Sequence, residues 1–103
     1  MVQEQNLRKN QRRLAILVGR VFDDGDRSGR CRISDMSISG ARVKCDVKFD
    51  VGDEVYLKID RFNDLRRAEV VWLRDGYTGL QFLKEITNPP AAMAAFLDPL
   101  RDN

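Results

Sequence analysis

Two short stretches of this chain place polar side chains at spacings suited to recognition. RKNQRR, residues 8–13, holds Arg8, Lys9, Arg12 and Arg13 within six positions. Arg8 with Arg12, and Lys9 with Arg13, are i, i+4 pairs, which share one face of an extended segment and are neighbours on a helical turn. Guanidinium groups side by side can fork onto phosphate oxygens, or onto O6 and N7 of a guanine. A solvated basic tail or a generic nucleic-acid patch accounts for the same residues. DMSISG, residues 35–40, is the second stretch. Its Asp35 carboxylate accepts from amino and imino groups, Ser37 offers a hydroxyl, and Gly40 lets backbone come near a flat ligand. The same residues also suit a plain Asx or Ser turn.

Other chemistries are hard to assemble from this composition. The chain has no histidine, which removes the commonest general base, the commonest metal ligand and the Ser-His triad. Its two cysteines, Cys31 and Cys45, then make neither a zinc site nor a Cys-His nucleophile, and read as small apolar core residues. No catalytic set, cofactor site or metal site is expected. The net charge of +2 is unremarkable, but the basic residues gather at the start, where Glu4 is the lone acid among residues 1–13. That arm invites an anion.

These stretches need elements to position them, and 103 residues suffice for one small domain with its own core. Residues 1–13 lack apolar periodicity and read as a basic arm. Residues 14–22 (LAILVGRVF) make a first strand and residues 23–29 (DDGDRSG) a turn. A strand around Cys31 and Ile33 runs into the DMSISG interruption. Beyond it, Ala41, Val43, Cys45 and Val47 alternate with Arg42, Lys44 and Asp46. After the FDVGD turn, EVYLKID alternates again. Residues 67–73 put Ala68, Val70 and Trp72 on one face, and residues 77–83 form a last strand. Six closely spaced strands predict an all-β, six-stranded antiparallel barrel over residues 14–87. Residues 88–103 form a C-terminal helix and tail. AAMAAFL suits a helix of about two turns, with Pro90 at its first position and Pro99 beyond its end.

The order and separation of the two polar stretches resemble the PilZ domain family. Arg8, Arg12 and Arg13 stand in an R-x-x-x-R arm before the first strand, and Asp35, Ser37 and Gly40 follow about twenty residues later in [D/N]-x-S-x-x-G. AEVVWLRDGYTGLQF is similar to the family's closing strands. The arm aligns either as Arg8 with Arg12, or as Lys9 with Arg13. The resemblance implies a barrel that binds the bacterial second messenger cyclic di-GMP without enzymatic activity. Its arm arginines would engage phosphates and guanine Hoogsteen edges, and its Asp/Ser/Gly loop would support a guanine. It also implies a protein effector as the downstream partner. Trp72 is placed either to stack on a guanine or to fill the core.

Two other readings stand beside this one: a PilZ-like adaptor that binds protein only, and a small barrel for nucleic acid. The second needs a basic face with exposed aromatics; no DNA or RNA partner is expected. With no apolar run long enough for a membrane span and no signal-peptide pattern, the expected location is the cytoplasm, without a membrane partner.

Overall fold

The computed structural model describes residues 17–97. Six strands follow one another: β1 (Leu17–Phe22), β2 (Ser28–Met36), β3 (Gly40–Cys45), β4 (Glu54–Ile59), β5 (Asp64–Arg74) and β6 (Tyr77–Phe82), before helix α1 (Ala91–Ala94). All pairings are antiparallel, and the sheet closes in the order β1-β2-β3-β6-β5-β4. The expected six-stranded barrel with a short helix is the fold of this chain. Arg8, Lys9, Arg12 and Arg13 lie outside the described residues.

Alternation explains the strands. In β4, Val55, Leu57 and Ile59 point inward and are fully buried, while Tyr56 and Lys58 lie outside. Each such side chain contributes roughly 1.5–3 kcal/mol by leaving water. Closing the sheet gives every strand two partners, so no edge is left to pair with another chain. Two of the predicted turns are fastened to each other. Asp23 Oδ1 accepts from the backbone N–H of Gly25 at 3.0 Å and of Arg27 at 3.2 Å. The Arg27 guanidinium donates to Asp23 and to Asp53, each at 3.0 Å, and lies 4.9 Å from the ring centroid of buried Phe49. Burial pushes the Asp23 carboxyl up, but the hydrogen bonds from Arg27 and Gly25 outweigh it and hold the group below its ordinary value.

Three details depart from the sequence reading. First, β2 runs on through Asp35 and Met36, so only Ser37–Ser39 interrupt the β2–β3 hairpin. Second, α1 is a single turn preceded by Pro90, which caps it with ψ 150 rather than occupying its first helical position. Residues on and just beyond this turn dock on the rest of the chain. Met93 is fully buried, Phe96 meets Phe62 edge-to-face at 5.8 Å, and Leu97 bridges to Met36. Third, Trp72 leaves the face it was expected to share with Ala68 and Val70, for a reason that belongs to the site.

Candidate functional site

Two β-bulges build the site. In β2 the register slips between Ile33 and Asp35. Strict alternation would turn Asp35 inward with Ile33; the extra residue, Ser34, instead sends Met36 into the core and Asp35 outward. In β5 the register slips between Val70 and Trp72. Val70 is paired with Leu80 and buried, whereas Trp72 is paired with Gly79 and half-buried on the outer surface. Burial in the core, one of the two readings of Trp72, is therefore ruled out by the bulge.

β3 and β6 lie between the bulged strands, and pairing β3 with β6 draws both sides together. Asp35, Ser37, Gly40, Trp72, Gly79 and Gln81 line one surface hollow of about 160 Å3. Of the eight residues singled out in the sequence, the four in the barrel thus meet at one place. The hollow has a flat wall because Gly79 has no side chain: a Cβ there would overlap the Trp72 indole.

Each polar side chain has a definite role in this geometry. Asp35 accepts from the Arg42 guanidinium at 3.0 Å. Arg42 Nε also donates to Ser34 Oγ at 3.1 Å, so the bulged residue helps to aim the arginine. Ser37 is buried, and its Oγ accepts from the Ser39 backbone N–H at 3.1 Å and lies 3.1 Å from Ser39 Oγ. Ser37 N–H donates to the Gly40 carbonyl at 2.9 Å. The serine therefore shapes the hairpin tip, as a Ser turn would. Gly40 is not in the left-handed region. A Cβ there would overlap the Leu80 carbonyl oxygen, so the glycine is required by the close approach of β6. The tip is held from the other side by Phe82 N–H on the Ser39 carbonyl at 2.8 Å and Ile86 N–H on the Ile38 carbonyl at 2.9 Å.

Two guanidinium groups touch residues that line the hollow, Arg42 on Asp35 and Arg74 on Trp72. Arg74 lies 5.3 Å from the Trp72 ring centroid, and Arg42 and Lys44 lie 5.1 Å and 5.3 Å from that of Tyr77. Against the single carboxylate of Asp35, this arrangement favours an anion that also presents flat faces. Sequence reasoning did not single out Arg42, Arg74, Gly79 or Gln81. Arg42 stood at a polar position of an alternating strand, the one signal that pointed to it.

Comparison with known proteins agrees with the architecture: residues 6–97 match the PilZ domain profile. The chain belongs to the PilZ domain family. PilZ domains are receptor modules for cyclic di-GMP and generally carry no catalytic activity. The match spans both the basic arm and the barrel. No curated protein and no solved structure gives a significant match to this PilZ chain. Among the described residues, no helix is long and apolar enough to cross a membrane, and no group of side chains is arranged to hold a metal ion.

Proposed function

We propose that this chain is a non-enzymatic receptor that binds cyclic di-GMP and relays the signal to a protein effector. The supporting observation is the meeting of Asp35, Ser37, Gly40 and Trp72 at one hollow beside the start of β1. A guanine presents donors on its Watson–Crick edge, which suit the Asp35 carboxylate, and a π face, which suits the indole laid flat over Gly79. A carboxylate has about four lone-pair sites, so Asp35 can accept from Arg42 and from a base together.

Size divides the work between barrel and arm. A hollow of about 160 Å3 is smaller than ordinary ligand pockets of roughly 300–1,000 Å3, so it takes one base rather than the dinucleotide. The phosphates and the second base fall to Arg8, Lys9, Arg12 and Arg13. Leu17 pairs with Ile33, two residues before Asp35. Four residues of chain span at most about 14 Å, so Arg13 is tethered within reach of the hollow. Arginine both forks onto phosphate and stacks on guanine, which lysine does poorly. Engagement of the arm would change the surface that the effector meets, giving a ligand-biased switch.

Calorimetric titration with cyclic di-GMP tests this reading. Saturable heat is the expected result; no heat and no chemical-shift change at high micromolar ligand would eliminate it. Binding to generic oligonucleotides with steep salt dependence, and no preference for the cyclic dinucleotide, would support a nucleic-acid barrel instead.

A further inference from the structure

Away from the hollow, the only two cysteines of the chain face each other across β2 and β3. Cys31 and Cys45 are register partners. The neighbouring pair, Arg30 and Asp46, carries the backbone bond, with Asp46 N–H donating to the Arg30 carbonyl at 3.0 Å. Cys31 and Cys45 therefore form a non-hydrogen-bonded pair, the position in an antiparallel ladder where side chains stand closest. Such pairs hold their Cα atoms about 4.5 Å apart, inside the range of roughly 4.4–6.8 Å that a disulfide spans. Both thiols are free.

The two sulfurs differ in surroundings. Cys31 is buried in the core, whereas Cys45 is half-exposed. The hydrogen bond from Cys31 lowers the Cys45 thiol below its usual range against the opposing effects of burial and of the neighbouring Asp46 charge. The same bond, together with burial, pushes the Cys31 thiol up. Cys45 is thus the more accessible of the two thiols, and Cys31 lies behind it in the core.

We propose that Cys45 and Cys31 are a peroxide-oxidisable dithiol, with Cys45 the attacking thiolate and Cys31 the resolving thiol. The Cys45 sulfur attacks one oxygen of hydrogen peroxide and the O–O bond breaks. The departing hydroxide takes up the proton that Cys45 had released, leaving a sulfenic acid and one water. The Cys31 sulfur then attacks the sulfenic sulfur: the S–S bond forms, the S–O bond breaks, and the Cys31 proton leaves with the hydroxyl as a second water. Two thiols have lost two electrons and two protons, and peroxide has been reduced to two waters. The bond ties β2 to β3 without a large backbone movement. This site is separate from the cyclic di-GMP reading and does not depend on it.

The test treats reduced full-length protein with a small excess of hydrogen peroxide, alkylates the remaining thiols, and measures the intact mass without reductant. The expected product is a monomer lighter by two hydrogens, with no alkylated cysteine, a Cys31–Cys45 cross-linked peptide on digestion, and full reversal by dithiothreitol. Cys45→Ser should slow consumption of the remaining thiol by about tenfold or more. Cys31→Ser should stop at a sulfenic acid that dimedone traps on Cys45. Two alkylatable thiols after treatment, sulfinic acid on Cys45 beside a free Cys31, or disulfides formed only between chains would each overturn the proposal. Should Cys31→Ser fail to fold, the wild-type mass and peptide map still decide the matter.

Discussion

The Asp35 carboxylate meets the Arg42 guanidinium at 3.0 Å, directly across the β2–β3 ladder and on the outer face of the barrel. Their side chains keep 20% and 40% of their exposure, so solvent screens the pair and its contribution to stability is of order 0–1 kcal/mol. Asp35→Ala should therefore fold with stability within about 1 kcal/mol of the parent. It should weaken cyclic di-GMP binding by about 1–3 kcal/mol through loss of a charge-assisted contact. Thermal melts and calorimetry together check this; unchanged affinity would mean that the base sits elsewhere.

Gly79 is occupied in space by the ring of Trp72. Gly79→Ala should force the indole off the barrel wall and cost roughly 1–3 kcal/mol of stability, the usual range for overpacking. Because Trp72 is the only tryptophan, its emission reports the displacement directly. An unshifted spectrum and an unchanged melt would contradict the packing described for this wall.

The arm has two candidate pairs, and substitution separates them. Arg13→Ala should weaken binding by about 1–3 kcal/mol, as expected for a lost bidentate contact. Lys9→Arg should tighten binding where Lys9 and Arg13 are the clamp, because it restores the fork that lysine lacks, and leave it unchanged where Arg8 and Arg12 are. Calorimetry on the two variants reads the outcome.

Asp23 gives a pH dependence of known sign. Its folded-state value lies below the ordinary 3.8, so its stabilising contribution is complete above the ordinary carboxylate range and is lost as pH falls through the lowered folded value. The difference in melting temperature between the parent and Asp23→Asn should be constant near neutrality and shrink in acid. A difference that grew on acidification would reverse the sign and exclude the Arg27 hydrogen bonds as its source.

The strands were legible because alternation and turn chemistry agree: Val55, Leu57 and Ile59 against Tyr56 and Lys58, then glycine and aspartate at the ends. Asp35, Ser37 and Gly40 were legible as a motif, but what each does was not. Gly40 and Ser37 satisfy the fold, one by admitting the Leu80 carbonyl and the other by bonding Ser39. The faces of Asp35 and Trp72 were hidden because each follows a bulge, where strict period-two reading fails. Ile33 and Met36 are both buried at a spacing of three, and that spacing is the trace the β2 bulge leaves in the sequence. The short length of α1 was hidden as well, as was where Met93, Phe96 and Leu97 dock.

Titration of Trp72 emission with cyclic di-GMP tests the central claim most directly, since the chain's only indole lines the hollow. Stacking of a guanine on that ring predicts saturable quenching in the parent protein, and markedly weaker quenching at equal ligand in Asp35→Ala. Emission that stays flat up to high micromolar ligand would contradict the assignment of this hollow as the cyclic di-GMP site.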